Sequence, residues 1–182
     1  IYARKCIIKE ISSNESKEFL KFNHIQGNIN SSINLGLFYN DELVSLMTLG
    51  KPRIDKKHDY EIYRYCNKIG THVIGAASKL LKYFERNYKP LSIISYANRR
   101  WSRGNLYQKL GFKLENISKP NFFYFKQSES SKTLISRLKF QKFKLESNLE
   151  NYDQNLTALQ NMVNNGYRVI YDSGNLVYSK QI

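Results

Sequence analysis

Cysteine, acidic side chains and long apolar runs are all scarce in this sequence of 182 residues. No run approaches the roughly 20 apolar residues that a membrane-spanning helix needs, so we expect a soluble protein without membrane contacts. The two cysteines, Cys6 and Cys66, stand far apart and match no zinc-ligand spacing, which predicts free thiols and no metal site. The opening string IYARKCIIKE has neither an initiator Met nor a hydrophobic signal region, which predicts a fragment of a longer chain.

The charge of the sequence is strongly one-sided. There are 29 Lys and Arg against 15 Asp and Glu, a formal net charge of +14. Between Lys79 and Lys113 there are nine basic residues and one acidic residue, Glu85. A field of this size attracts polyanions, of which nucleic acid is the commonest. A lysine-rich coding bias is the alternative, although it explains lysines better than the dense arginines of NRRWSR (98–103).

Apolar periodicity over residues 1–126 predicts an alternating order of strands and helices, β-α-β-β-β-α-β-α-β. Two β-rich runs flank the turn pair Asn40-Asp41, which predicts a hairpin. The string FFYFK (122–126) is the predicted closing strand. This order predicts an α/β fold built on a mixed sheet, of the α+β type.

The composition changes after residue 126. QSESSKT (127–133) is typical of a polar linker, and LISRLKFQKFKLES (134–147) predicts a basic amphipathic helix. The remainder predicts a second helix and a hairpin through Ser173-Gly174. We therefore predict two domains, residues 1–126 and a small C-terminal α/β annex of residues 127–182.

The string HVIGAASKLL (72–81) places small residues directly before an apolar helical run. A strand end, a small-residue turn and a helix start leave free backbone N–H groups that suit an anion such as a pyrophosphate. The string matches neither the P-loop nor G-x-G-x-x-G. A tight helix–strand crossing that needs small residues is the alternative. The residues predicted to bind the anion are Val73, Ile74, Gly75, Ala76, Ala77, Ser78 and Lys79.

Two strings resemble signatures of the GNAT (Gcn5-related N-acetyltransferase) superfamily. HVIGAASKLL is similar to the coenzyme-A loop, Q/R-x-x-G-x-G/A before a Leu-Leu helix; Gly75 and Ala77 match, and His72 stands where Gln or Arg is usual. NLYQKLGF (105–112) resembles the second signature in compressed form. The resemblance covers roughly residues 4 to 126. It implies a GNAT-like acyltransferase fold with a small C-terminal annex, and acetyl-CoA or another acyl-CoA as cofactor.

A narrower resemblance concerns a phage-borne GNAT subgroup related to Mom, the phage protein that modifies adenine in DNA. The strings that carry it are NHIQG, LVSLMTLGKPR, VIGAASKLL and SYANRRWSRGNLYQKLGF. Similar domains, with a comparable tail, follow nuclease domains in phage homing-type endonucleases. The resemblance implies a phage-encoded protein in the bacterial host cytoplasm. Its implied partners are duplex DNA, with a flipped base as acceptor, and a fused or separate nuclease.

The GNAT resemblance also implies a catalytic group near the point where two strands of the fold splay apart. Tyr107 matches a tyrosine that often acts as general acid, with a packed aromatic as the alternative. His24 is a candidate base or polar anchor, with a capping role as the alternative. Ser95 and Asn98 follow the buried strand LSIIS. Relatives in the subgroup carry Asp at the position of Asn98, and Asn can position an amine or a water but cannot act as a base.

Further candidates lie in two strings. Guanidinium groups around the indole of NRRWSR suit phosphate contacts and stacking on an unpaired or flipped base; a core-anchoring tryptophan is the alternative. In YEIYRYCNKI (60–69), strict alternation places Glu61 on the face opposite Ile62 and Arg64, as a candidate base or an exposed carboxylate. The predicted nucleic-acid contacts are Arg53, Arg64, Arg99, Arg100, Trp101 and Arg103.

Two classes of function follow from these observations. The first is acyl-CoA-dependent modification of the exocyclic amine of a DNA base, with Tyr107 protonating the departing thiolate. The second is a catalytically silent, GNAT-shaped DNA-binding module of a homing-type endonuclease, which the missing acid at Asn98 and the unusual His72 favour. Acetylation of proteins or small molecules fits the charge of +14 less well. We rank DNA modification first.

Overall fold

The computed structural model describes residues 1–129 and 133–182, which form two compact units. Unit 1 consists of Ile1–Ala97, Ser102–Asn116 and Leu176–Ile182. Unit 2 consists of Asn98–Trp101 and Ile117–Asn175. In the described part of the chain, no helix has the length and the apolar character to cross a membrane.

This division differs from the predicted boundary at residue 126. Residues 117–126 belong to unit 2, whereas residues 176–182 belong to unit 1. The chain thus leaves unit 1 and later returns to it, so one linker after residue 126 does not separate the units. Residues 130–132 of the predicted linker lie outside the described residues.

Strands and helices alternate in unit 1 and follow one another less regularly in unit 2. In chain order they are β1 (Ile7–Glu10), α1 (Ser13–Asn23), β2 (Ile33–Tyr39), β3 (Glu42–Gly50), β4 (Tyr60–Asn67), α2 (Ala76–Tyr88), β5 (Ser92–Asn98), α3 (Asn105–Lys109), β6 (Lys113–Ile117), β7 (Phe122–Lys126), β8 (Ile135–Ser136), α4 (Leu145–Asn148), α5 (Ala158–Asn164), β9 (Tyr167–Tyr171) and β10 (Asn175–Gln181).

A seven-stranded mixed sheet forms the centre of unit 1, with the strand order β1-β2-β3-β4-β5-β10-β6. The pairs β1–β2, β2–β3 and β3–β4 are antiparallel, and the pair β4–β5 is parallel. Helix α2 buries Leu80, Leu81 and Phe84 in the main hydrophobic cluster, on one face of the sheet. Helix α1 contacts β3 and β4 but its buried Leu20 is outside that cluster, so α1 covers the other face. The predicted mixed-sheet α/β fold is confirmed.

Local signals placed several elements correctly. Helix α1 begins after a capping box, in which Ser12 and Glu15 satisfy each other's backbone N–H groups. Asn40 and Asp41 adopt φ angles of 49° and 60°, as a type I′ hairpin turn between β2 and β3 requires. The predicted free thiols are confirmed: Cys6 is buried and Cys66 is half-buried, and burial raises the pKa of Cys66 to about 12.

Three predictions for the second half of the chain are wrong. Strand β7, the string FFYFK, belongs to a three-stranded sheet of unit 2 with the order β8-β7-β9, and β10 enters the main sheet instead. Strands β9 and β10 lie in different sheets, so Ser173-Gly174 is a crossover and no hairpin. Residues 134–147 form β8, two 3-10 turns and the start of α4. Phe140 is buried whereas Phe143 is exposed, a burial pattern that one helical face does not produce.

Gly104 lets two aromatic rings stack beneath α3. It adopts a φ of 79° directly before the helix, and a Cβ there would overlap the hydroxyl of the buried Tyr178. The Tyr178 ring stacks on Tyr107, with ring centroids 5.1 Å apart and an interplanar angle of 16°. A side chain at Gly104 would therefore displace the ring that supports Tyr107.

We predict that Gly104→Ala lowers the free energy of unfolding by about 3 kcal/mol, because the new methyl group combines backbone strain with a steric overlap. Gly70→Ala is the matched control, since Gly70 has a φ of 78° and open space where its Cβ would lie. We expect about 1 kcal/mol from the strain at Gly70 alone. Urea unfolding of both variants measures the difference, and equal losses would contradict the role assigned to Gly104.

Candidate active site

Strands β4 and β5 pair only at their beginnings. The parallel register joins Tyr60 to Ile93, Glu61 to Ile94 and Ile62 to Ser95, and in the described chain it goes no further. Beyond this point β4 pairs with β3 as far as Asn67. The edge of β4 that faces β5 is therefore left without a strand partner from residue 63 onward. Such an edge offers main-chain donors and acceptors to an extended ligand.

A β-bulge at Tyr63 redirects the side chains of β4. The β3 partners shift from Leu49↔Ile62 to Thr48↔Arg64, so Tyr63 is an extra residue. As a result Ile62 and Tyr65 both pack into the α2-side cluster. The predicted strict alternation along β4 is wrong for this reason.

Arg64 faces the loop that follows α1. Its Nε donates to Gly27 O at 3.2 Å and its Nη1 donates to Tyr63 O at 2.9 Å. Burial lowers the pKa of Arg64, and the neighbouring Arg53 adds to this effect. The Arg64 guanidinium donates to these two carbonyl groups inside the protein. This geometry argues against the predicted contact between Arg64 and a phosphate.

Glu61 is buried and fully engaged. One oxygen accepts from Nε of Arg53 at 3.1 Å and from its Nη2, and the other accepts from the Arg53 backbone N–H at 2.9 Å. This arrangement excludes the exposed-carboxylate alternative for Glu61. It also compensates the charge of Arg53, which argues against the predicted role of Arg53 in binding phosphate.

Ser95 and Tyr107 meet at the point where β4 and β5 separate. Ser95 Oγ is buried, 3.0 Å from Ile62 O and 2.8 Å from Tyr107 Oη. A serine hydroxyl has one proton and a carbonyl can only accept, so Ser95 donates to Ile62 O and Tyr107 donates to Ser95. Burial raises the pKa of Tyr107, while the Ser95 hydroxyl, which can turn to donate to the phenolate, and the Arg64 charge oppose the rise. Tyr107 therefore holds its proton at neutral pH.

The turn before α2 has the predicted open shape. Gly75 adopts a φ of 81° at the N-cap, and a Cβ there would meet only the Ala3 Cβ, 3.8 Å away. Among the described residues, the N–H groups of Gly75 and Ser78 have no hydrogen-bond partner. The N–H of Ala77 faces the hydroxyl of Tyr65 and opposes the burial that raises the pKa of Tyr65.

Four other residues of the predicted anion site have different surroundings. The Ile74 N–H donates to Ile1 O at 2.9 Å, so this amide is already paired. Lys79 Nζ donates to Ala3 O at 2.9 Å and to Cys6 O, which ties the ammonium to the first residues of the chain. Val73 and Ala76 are buried. The free amides at this turn are thus those of Gly75 and Ser78.

His24 ends α1 and shapes the loop after it. Its Nδ1 accepts from the Gln26 N–H at 3.1 Å, so in the neutral ring the proton lies on Nε2. Burial and the Arg64 charge lower the pKa of His24 from 6.5 to about 4. A ring with its acceptor nitrogen occupied and such a low pKa is a poor base, so the geometry favours the polar-anchor alternative.

The remaining candidates divide between the two units. Asn98 and Trp101 belong to unit 2, whereas Arg103 belongs to unit 1, as do Ser95 and Tyr107. Asn98 Oδ1 accepts from the Arg100 N–H at 2.9 Å, so Asn98 stabilises a turn.

Trp101 is 55% exposed and lies under the Arg100 guanidinium, 4.7 Å from the ring centroid. The core-anchor alternative for Trp101 is therefore wrong. The Nη1 of Arg99 donates to Ser173 O at 3.1 Å, and Arg103 is exposed.

Known proteins match this chain in structure. No family sequence model matches it, and no curated protein matches it in sequence. An acetyltransferase of Bacillus subtilis, in a complex with CoA, is 17% identical, with 98% of this chain and 99% of that chain covered and a TM-score of 0.54. An IAA acetyltransferase of Bacillus cereus is 13% identical over 97% of this chain and 99% of its own, with a TM-score of 0.54. The ribosomal-protein-S18-alanine N-acetyltransferase of Escherichia coli is 11% identical over 72% of this chain and 94% of its own, with a TM-score of 0.51.

The chain has the fold of the GNAT acetyltransferases. At these identities the likeness concerns the fold, and the chemistry has to be argued from the site itself. Sequence reasoning missed two residues of the site. Arg64 was predicted to contact nucleic acid, because the β-bulge that turns its side chain toward the loop after α1 cannot be recognised in the sequence pattern of the strand. Tyr178 was predicted to belong to the C-terminal annex, because the segment that contains it follows the turn residues Ser173-Gly174.

We predict that His24 titrates near pH 4 and contributes to the acid sensitivity of the fold. The unfolded chain, with an ordinary histidine pKa of 6.5, binds more protons between pH 6.5 and 4 than the folded chain does. Acidification through this window therefore lowers the free energy of unfolding, and His24→Gln removes that contribution.

Titration of the imidazole signals by NMR measures the pKa, and chemical unfolding above pH 6.5 and near pH 4 measures the stability. His72→Gln, at an exposed histidine, is the matched control. A pKa of His24 close to 6.5 in the folded protein would contradict the assigned environment.

Proposed function

We propose that this protein is an acyl-CoA-dependent N-acyltransferase whose acceptor is the exocyclic amine of a DNA base, a modification of the Mom-like kind. One observation carries the proposal. The Tyr107 hydroxyl is held by the buried Ser95 where β4 and β5 separate, beside an unpaired strand edge. A proton donor is thus fixed at an opening that suits an extended thioester.

The residues around this opening fit a coenzyme A thioester. The unpaired edge of β4, from residue 63 onward, offers main-chain groups to the amides of the pantetheine arm. The free N–H groups of Gly75 and Ser78, at the positive end of α2, suit its diphosphate. When bound, the thioester supplies an acyl group that is activated toward an amine.

Tyr107 acts as the proton donor in this proposal. Its raised pKa keeps the hydroxyl protonated until a thiolate leaves. If Tyr107 gave its proton to a departing sulfur, Ser95 could turn its own proton from Ile62 O toward the phenolate oxygen, and the proton that the acylated amine loses could return to the phenolate. The hydrogen bond to Ser95 thus remains through the transfer, with donor and acceptor exchanged.

The charges near Tyr107 favour a neutral acceptor amine. Arg64 and the neutral His24 lie near each other, and the charge of Glu61, a buried carboxylate close to them, is compensated by Arg53. A protonated alkylamine such as a lysine side chain would meet positive charge without a free carboxylate. The exocyclic amine of a base is neutral at pH 7 and avoids this repulsion. It is also a weak nucleophile, so positioning must supply much of the rate.

The basic character of the chain supports DNA as the partner. The net charge is +14, and Trp101 with Arg100 presents an exposed ring under a guanidinium. Such a pair suits a phosphate together with an unstacked base. Arg99 and Arg103 are further contacts in this proposal, whereas Arg53 and Arg64 are not, because both bond internal groups.

A second candidate function is a GNAT-shaped DNA-binding module without transfer chemistry, joined to a nuclease. Two observations favour it. The Ile74 N–H at the turn before α2 is already paired, and Asn98 stabilises a turn with its side chain. A module of this kind would bind DNA and leave acetyl-CoA unchanged.

We predict that Tyr107→Phe reduces label transfer from radioactive acetyl-CoA to duplex DNA by about a hundredfold or more, because the variant lacks the proton donor. Binding of acetyl-CoA, measured by calorimetry, changes little in this variant. Tyr39→Phe, which removes one hydroxyl at the end of β2, is the matched control and keeps full activity.

Three results would overturn parts of the proposal. Equal activity of Tyr107→Phe and the wild type would remove Tyr107 from the mechanism. Transfer to an alkylamine but not to DNA would refute the acceptor. Binding of DNA without binding of acetyl-CoA would leave only the module without transfer chemistry.

A further inference from the structure

A small polar pocket lies at the start of α1, against the loop that leads into β2. Its volume is about 190 Å³. The residues that line it are Ser13, Asn14, Ser16 and Lys17 of α1 and residues 28–31 of the loop. The pocket has room for several water molecules, each of which takes about 30 Å³ in the liquid, and it is smaller than the roughly 300 Å³ at which pockets for drug-sized ligands begin. Its size suits a small ion or one group of a larger ligand.

The hydroxyl of Ser16 is buried without a partner. Ser16 is 2% exposed, and its Oγ forms no hydrogen bond with any described residue. A buried hydroxyl in this state costs free energy, and such groups normally bind to the protein, to water or to a ligand. Because Ser16 lines the pocket, we expect the missing partner to lie there.

The pocket is rich in hydrogen-bond donors and in positive charge. In the described part of the chain, the N–H groups of Ser13 and Asn14 have no acceptor, as is usual in the first turn of a helix. The Lys17 ammonium, one turn further along α1, forms no ion pair or hydrogen bond with a described residue. None of the described residues that line the pocket is Asp or Glu. The positive end of the α1 dipole adds to this field.

The acidic residue of the first turn, Glu15, is engaged outside the pocket. Its Oε2 accepts from the Ser12 N–H at 3.0 Å and from Ser12 Oγ at 2.8 Å, within the capping box. Glu15 does not line the pocket. The free amides and the Ser16 hydroxyl are therefore left to another acceptor.

The loop that forms the second wall is fixed at both ends. Gly27 O accepts from Nε of Arg64 at 3.2 Å, directly before the lining residues. Ser31 Oγ donates to Asn34 Oδ1 at 2.6 Å, where the loop enters β2. A ligand would not have to order this wall, which lowers the entropic cost of binding.

This pocket is separate from the candidate active site. It shares no residue with the turn before α2 or with the opening between β4 and β5. Helix α1 covers the face of the main sheet opposite to α2. The pocket lies at the start of α1, whereas His24 lies at its end.

We propose that this pocket binds a phosphate group, either of free phosphate or of a nucleic-acid backbone. The free amides of Ser13 and Asn14, the Ser16 hydroxyl and the Lys17 ammonium all donate, and such a set suits the charged oxygens of a tetrahedral anion. A neutral ligand would leave the charge of Lys17 and of the helix end without a counterpart. The inference goes beyond the proposed transfer reaction and does not depend on it, since it needs neither Tyr107 nor an acyl donor.

The test is a titration of the protein with inorganic phosphate, followed by the backbone amide signals in NMR, with chloride used to keep the ionic strength constant. We expect saturable shifts at Ser13, Asn14 and residues 28–31. Ser16→Ala should weaken phosphate binding by about tenfold, the usual effect of one hydrogen bond to a charged group. Lys17→Gln should weaken it by about threefold, because its ammonium is exposed.

Thr48→Val and Lys21→Gln are the matched controls, and both should bind phosphate as the wild type does. Thr48 Oγ1 is likewise buried without a partner among the described residues, and Lys21 has the same charge on the same helix, but neither residue lines the pocket. Thermal unfolding without phosphate separates binding from structure. Ser16→Ala should be at least as stable as the wild type, because it removes an unpaired hydroxyl from a helix.

The absence of saturable shifts with phosphate, an equal response to added chloride, or wild-type binding by Ser16→Ala would each overturn the proposal. A second titration with a short DNA duplex identifies the source of the phosphate. Shifts of the same amides that are lost in Ser16→Ala would support a backbone phosphate, whereas a response to inorganic phosphate alone would support the free ion. Loss of label transfer without loss of phosphate binding would refute only the proposed reaction.

Discussion

The parting of β4 from β5 after Ile62 and Ser95 is the constraint on which the candidate site depends. Two parallel strands that paired along their whole length would leave no free edge and no space between them. Because pairing stops, the Ser95 hydroxyl can bridge Ile62 and Tyr107. The Tyr178 ring then holds Tyr107 from behind, in the space that Gly104 leaves open. The strand edge proposed to receive the cofactor and the hydroxyl proposed as the proton donor thus both depend on one interruption of the sheet.

The candidate site also depends on which charged side chains near Tyr107 have a partner of opposite charge and which have none. The bulge at Tyr63 turns Arg64 toward the loop after α1. The burial of His24 and the charge of Arg64 keep His24 neutral there. Arg53 compensates the buried Glu61, so that carboxylate offers nothing to a cationic substrate. Positive charge beside a neutral histidine is the basis on which we propose an uncharged amine of DNA as the acceptor.

The sequence predicts those parts of the fold that local chemistry decides. The turn at Asn40-Asp41 and the glycine start of α2 depend on a few neighbouring residues, and both are as predicted. Strand choice is not local. The Gly174 turn looks like a hairpin, but β9 pairs with β7, where Phe122 lies opposite Tyr171, and β10 crosses to the main sheet. The bulge in β4 was not predicted for a related reason. One extra residue changes the face of the sheet on which the following side chains lie, and it does not change the composition of the strand.

Chemical-shift mapping of backbone amides with acetyl-CoA tests the central claim most directly. The account predicts the largest shifts at Gly75, at Ser78 and along residues 63–67 of β4. Gly75→Asp should abolish them, because a carboxylate at the N-cap competes for the free amides of α2. Gly70→Asp, at a glycine with a φ of 78°, should preserve them. Shifts confined to other parts of the chain, or the same response in both variants, would contradict an acyl-CoA site between β4 and β5.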